Sequence, residues 1–211
     1  MNGLFATACR ATLVTLLVTG LGYPLLVTAL AQVFFPERAN GSLVEDEHRR
    51  IVGSELIAQG FAGPAYVQPR PSAAGSGYDA AASGGSNLGP TSKKLRDGAQ
   101  ALAARLRREN PDAPAAVPAE LVTASASGLD PHLSPAAARW QVSRIARARR
   151  VGEERVRGVI DELAEPRDLG FLGEPRVNVL LLNLALDRHF GTPLAPAPVS
   201  PASMPEPRPG G

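Results

Sequence analysis

One cysteine, three histidines and one tryptophan are all that 211 residues supply of those types, and each scarcity closes a class of function. Cys9 stands by itself near the N-terminus, so neither an intrachain disulfide framework nor a zinc site of cysteine pairs is available. His48, His132 and His189 are too scattered to read as a metal motif, and no metal is expected. Aromatic residues make up 5% of the chain and the net charge is only +2. Stacking platforms and a strong basic field are therefore both missing, and no nucleic-acid partner is expected. What is present is 44% hydrophobic content, enough to pack the core of one soluble domain with segments to spare.

Charge is also missing locally. The 26 residues from Ala11 to Pro36 carry none, and they include seven leucines, four valines and two phenylalanines. A helix rising 1.5 Å per residue crosses a hydrocarbon core of about 30 Å in about 20 residues. At roughly −0.3 to −0.6 kcal/mol each, those thirteen side chains favour insertion by about −4 to −8 kcal/mol before Gly20, Gly22, Pro24 and Gln32 are counted against them. A cleaved signal peptide is the competing reading, supported by Ala29-Leu30-Ala31. The apolar run continues through Val33, Phe34 and Phe35, so an anchor is preferred. Arg10 and the α-amino group flank one side, and Glu45, Asp46 and Glu47 follow the other. The positive-inside rule then predicts cytoplasmic residues 1–10, a span at 11–36, an extracytoplasmic domain at 37–190 and a Pro-rich disordered tail at 191–211.

Within that domain, Ser42-Leu43-Val44-Glu45 matches a capping box and predicts a helix to about Gln59, stopped by Gly60. Loop follows to Ala82, with a short strand at 65–68. "SGGSNLGPTSKK" has two glycines, Gly84 and Gly89, at phosphate-loop spacing, but Pro90 stands where that loop needs a lysine with an N–H. The same stretch reads as a glycine-rich lead into a helix capped by Thr91 or Ser92 and running from Lys93 to about Glu109. A strand is predicted at 121–124. Ser134 and Pro135 open a helix through about Ala148, and a further helix at 153–164 buries Val156, Val159, Ile160 and Leu163. "RVNVLLLNLAL", apolar nearly all round, predicts a central helix at 177–189. The expected fold is one transmembrane helix followed by a mixed α/β soluble domain.

Asp130, His132 and Ser134 form the only dense cluster of catalytic residue types. A membrane-anchored extracytoplasmic hydrolase is the enzyme reading. Three residues two apart in one loop rarely converge as a triad, and no G-x-S-x-G elbow exists; turn and capping bonds are the plainer expectation. Arg144, Arg147, Arg149, Arg150, Arg155 and Arg157, interleaved with Glu153 and Glu154, read as a solvated face laced with local ion pairs.

Three long stretches behind the N-terminal span carry a resemblance: "YDAAASGGSNLGPTSKKL" (78–95), "VTASASGLDPHLSP" (122–135) and "LGEPRVNVLLLNLAL" (172–186). Over about residues 5 to 190 the chain resembles the KdpC family, small subunits of the bacterial Kdp potassium-transporting P-type ATPase. The "YVQPRPS" segment and the tail depart from the pattern. The resemblance implies a non-catalytic accessory subunit in the bacterial inner or plasma membrane, partnered by KdpA, KdpB, KdpF and membrane lipid. Potassium would be handled by a partner subunit, and ATP hydrolysed by KdpB. It also carries a family proposal, a catalytic chaperone raising the ATP affinity of KdpB. Two loops become candidate contact or nucleotide-related sites: Ser83, Gly84, Gly85, Ser86, Asn87, Leu88, Gly89 and Thr91, and then Ser127, Gly128, Asp130, His132 and Ser134.

Overall fold

Pro24 shapes the first helix. The computed structural model, which describes residues 2–46, 49–114 and 116–193, opens with α1 (Asn2–Leu16), a π-type segment (Leu17–Gly22) and α2 (Tyr23–Phe34) as one continuous rod. Proline lacks an N–H and crowds the carbonyl four residues earlier. The chain meets this by widening the turn just ahead of it, where the Tyr23 N–H reaches back five residues to the Val18 carbonyl. The rod from Gly3 to Phe34 is long and apolar enough to cross a membrane, and it begins well before the predicted Ala11. Its apolar window is not buried against the rest of the protein among the described residues, which points to membrane anchoring. At Phe35 the backbone breaks, and Pro36 opens the short α3 (Pro36–Ala39).

The predicted helix at 43–59 is not formed. In its place stands an antiparallel hairpin of β1 (Leu43–Glu45) and β2 (Ile51–Ser54). Ser42 sits at φ 45°, a left-handed conformation in which it caps nothing. The Asp46 N–H bonds the Arg50 carbonyl at 2.9 Å, the Asp46 carboxylate holds the Arg50 amide at 2.9 Å, and Arg49 adopts φ 58°. This tight turn and the β-branched Ile51 and Val52 outweigh the capping-box pattern.

α4 (Lys93–Glu109) matches its expected bounds, with the Ser92 hydroxyl accepting from the Leu95 N–H at 3.4 Å. The predicted strand at 121–124 is replaced by a single 3-10 turn at Ala119–Leu121. Beyond it β3 (His132–Leu133) pairs antiparallel with β4 (Val177–Asn178). The helix expected through Ala148 is two: α5 (Pro135–Trp140) and α6 (Val142–Arg149), divided at Gln141, whose side chain turns inward. Arg150 at φ 57° ends α6 in a Schellman motif, the Val151 N–H reaching the Ala146 carbonyl and the Arg150 N–H that of Arg147. α7 (Glu153–Glu162) carries acidic residues in its first turn and buries Val156, Val159 and Ile160. α8 (Val179–Phe190) is capped by Asn178, which accepts the Leu181 N–H at 3.2 Å.

Helices α5 to α8 pack together around Leu133, Ile145, Ile160, Leu182 and Leu186, all fully buried, and α4 adds Leu106 from one side. Val67 is buried in the same core, yet 65–68 is no strand. The Asn183 side chain accepts the Val67 N–H at 2.8 Å and donates to its carbonyl at 2.9 Å. Gln141 treats Gln68 the same way, at 2.9 and 3.0 Å. Two carboxamides thus replace the partner strand that an extended segment requires. Among the described residues the soluble region is one of helices with two very small sheets. The predicted tail falls almost wholly outside the described residues.

Candidate functional site

The two candidate loops are docked on each other. The Gly84 N–H and the Ser83 hydroxyl both donate to the Ser127 carbonyl, at 2.8 and 3.0 Å. A Cβ at Gly85 would lie 2.7 Å from the Ala126 carbonyl oxygen. One at Gly128, where φ is +70°, would lie 2.5 Å from the Gly84 carbonyl oxygen and 2.7 Å from the Ala74 nitrogen. Backbone touches backbone here, so both positions need glycine.

The first loop changes character along its length. Ser83, Gly84 and Gly85 are tied down, whereas Ser86, Asn87, Leu88 and Thr91 make no hydrogen bond among the described residues; Asn87 takes φ 51°. The Gly89 carbonyl accepts the Ser92 N–H at 3.0 Å, which turns the chain into α4.

Nearly every polar group of the second loop holds the fold together. Asp130 accepts the His132 N–H at 3.0 Å and pairs with Arg70 at 3.0 Å. The Leu129 carbonyl accepts Ala58 N–H, and the Pro131 carbonyl accepts Val179 N–H, both at 2.9 Å. His132 stands opposite Asn178 in the β3–β4 ladder, and the Asn178 amide reaches the Glu55 carbonyl at 2.9 Å. Ser134 caps α5: its hydroxyl accepts the Ala137 N–H at 3.1 Å and donates to Glu120, which also takes the Ser134 N–H at 3.0 Å. The His132 imidazole Nδ1 lies 3.8 Å from the Asp130 carboxylate, beyond hydrogen-bond length, and no bond joins it to Ser134 among the described residues. The three residues are neighbours in sequence without forming a relay, and a hydrolytic triad is not assembled.

The arginine run is corrected in two of its members. Arg157 does form the expected local pairs with Glu153 and Glu154 on α7. Arg144 is 4% exposed, however, and spends its guanidinium on the Gly63 and Pro64 carbonyls and on Gln141. Burial lowers its pKa to about 10. The Arg149 side chain, 2% exposed, pairs with Asp187 at 2.7 Å and caps the Ala65, Leu186 and Gly191 carbonyls. It also lies over the Tyr66 ring, 5.1 Å from its centroid. These two cations hold the loop before Val67 in place of a solvated face.

The residues that sequence reasoning passed over are the ones that fix the loops: Arg70, Glu120, Gln141, Asn178 and Asn183. Two had a visible signal, since Asn178 and Asn183 interrupt an otherwise apolar run. A cleft of about 410 Å³ lies beside α4, lined by Phe61, Gln68, Tyr78, Leu102, Arg105 and Glu109 among others. Arg105 and Glu109 pair across its rim at 3.4 Å.

Comparison with known proteins shows the family. The family model described as "KdpC: K+-transporting ATPase, c chain" matches residues 5–188. Three relatives bearing the name potassium-transporting ATPase KdpC subunit are similar over nearly their whole length. The chain is 65% identical to that of Myxococcus xanthus over 191 residues, 90% of each chain. With that of Rhodospirillum rubrum it shares 57% over 179 residues, 85% of this chain and 91% of the relative. With that of Koribacter versatilis the figure is 50% over 192 residues, 91% and 96% of the two.

Proposed function

Because the chain belongs to the KdpC family, the c chains of K+-transporting ATPases, we propose that it is the accessory subunit that assembles and stabilises a high-affinity Kdp potassium-uptake complex. Its partners are KdpA, KdpB and KdpF. The single apolar helix anchors it in the bacterial inner or plasma membrane with the N-terminus cytoplasmic, packing among partner helices and lipid. The soluble domain then lies on the extracytoplasmic side, over the outer face of KdpA near the ion entrance. Potassium passes through the partner and ATP is spent on KdpB. The supporting observation is that Ser83, Gly84, Asp130 and Ser134 are consumed in fixing two loops to one frame. That leaves Ser86, Asn87, Gly89, Pro90 and Thr91, all exposed, free to meet a neighbour.

Co-purification tests the reading: a tagged chain expressed with its operon should bring down a P-type ATPase and a large polytopic subunit. Recovery of the chain alone would reject it. The orientation is tested by Lys93→Cys, exposed at the start of α4, which membrane-impermeant maleimide should label in intact cells; labelling only after lysis would reverse the topology. The chaperone role needs ATP at the domain, and a ligand shifts an equilibrium only through differential contacts. No heat of binding is expected at millimolar ATP, and a saturable signal lost on changing residues 84–92 would reinstate that role.

A further inference from the structure

Between α7 and β4 the chain makes a small hairpin. Glu165 and Arg176 exchange both backbone bonds, at 2.8 and 3.0 Å, and the Asp168 carbonyl accepts the Leu172 N–H at 2.9 Å. The tip is Leu169-Gly170-Phe171-Leu172-Gly173. Its three large apolar side chains face solvent: Leu169 is 83% exposed, Phe171 69% and Leu172 49%. Leu169 is also held at φ 53°, where a leucine is strained. Strain and exposed apolar area both argue against a tip shaped only for the fold.

The collar below the tip decides what it meets. Arg176 pairs with Glu165 at 2.9 Å and Asp168 at 3.1 Å, and Arg167 pairs with Glu174 at 2.7 Å. Both arginines are thus spent on carboxylates of the same hairpin, and the sum of its five charges is −1. A peripheral membrane anchor needs free lysines or arginines to meet anionic headgroups. This collar offers none, and it repels them slightly. An apolar knob on a pre-ordered stem whose arginines are paired within it suits a dry pocket on a protein, because the ordering cost of binding is met before contact.

We infer that the Leu169–Leu172 tip is a docking knob, with Phe171 as its central anchor, for an uncharged apolar pocket on the membrane-embedded partner subunit. This rests on the accessory-subunit reading above and names the element that makes the contact. The test uses the full chain in its assembled complex. A photo-crosslinking residue at Phe171 (Phe171→benzoylphenylalanine) should join the chain to the polytopic subunit. Phe171→Ser with Leu169→Ser should lower recovery of that subunit about tenfold or more after dilution in detergent, while far-UV dichroism and the unfolding midpoint stay at wild-type values. Crosslinking to lipid, or unchanged recovery of the partner by the double variant, overturns the knob and leaves the accessory-subunit reading standing. If the wild-type chain recovers no partner at all, that broader reading falls and takes the knob with it.

Discussion

Replacing Asn183 with leucine isolates the device that stands in for a missing strand. Asn183 is 1% exposed and holds both backbone polar groups of Val67, itself fully buried. Leucine keeps the size of the side chain and removes both partners. Each orphaned buried group costs about 1–3 kcal/mol, and the gain from burying the apolar replacement offsets about 2 kcal/mol of that sum. The net loss is about 0–4 kcal/mol, centred on about 2 kcal/mol. At about 2–4 °C per kcal/mol for a chain of this size, that central value lowers the unfolding midpoint by roughly 4–8 °C. Differential scanning calorimetry of the full chain in detergent reads the midpoint. Amide exchange followed by mass spectrometry reads the peptide containing Val67, which should lose protection before α7 does. Gln141→Leu should behave alike and add less than its own cost when combined, since the two clamps hold consecutive residues. A midpoint within about 1 °C of wild type, with Val67 still protected, would refute the claim that side-chain amides replace a strand here.

The glycines of the two loops give a paired contrast. Gly128→Ala should cost about 2 kcal/mol or more through its clash and left-handed backbone, whereas Gly89→Ala, open on every side, should stay within about 0.5 kcal/mol by chemical denaturation. Equal effects would undo the account of loop docking. Burial holds the phenols of Tyr78 and Tyr66 above the ordinary tyrosine value, with the Asp187 carboxylate adding to the rise at Tyr66. A raised native pKa means stability is fully present below about pH 10 and is lost as pH climbs through the native values. Arg144 works in the opposite direction from about 10 upward. It contributes equally to Tyr78→Phe, so alkaline denaturation of that variant should fall less steeply than wild type, and parallel curves would refute the assignment. Ser134→Ala should lose about 1 kcal/mol as a helix cap, and His132→Ala should retain full potassium transport by rubidium uptake; an inactive, folded His132→Ala protein would revive the hydrolytic reading.

Helices announced themselves in the sequence where the spacing and the cap agreed. Thr91 or Ser92 ahead of the Leu95, Ala99, Leu102, Ala103 and Leu106 face gave the approximate bounds of α4, with Ser92 the cap that forms, and Ser134-Pro135 placed the start of α5. The failure at 43–59 came from the same kind of signal. Ser42 and Glu45 mimic a cap, but the turn that makes the hairpin is written in Asp46 and Arg49, whose left-handed backbone no propensity scale anticipates. Long-range polar bonds were beyond reach for a different reason. Arg149 serves a carbonyl 84 positions away and Asn183 a residue 116 positions away, and no local pattern ties such pairs together. The glycines and serines of the signature loops were visible as motifs, while their use as contact points between loops emerged only with the backbone in place.

The widened turn ahead of Pro24 divides the apolar rod into two angular frames. One extra residue in a turn rotates everything beyond it by about 100° relative to an unbroken helix. A stripe drawn through Thr15 therefore does not continue straight into α2, and a neighbour lying along one half meets a different azimuth on the other. Deleting a single residue between Leu17 and Gly22 would bring the two halves into phase while shortening the rod by only about 1.5 Å. The rod is in this sense a two-sided key, with its bitting cut by one proline.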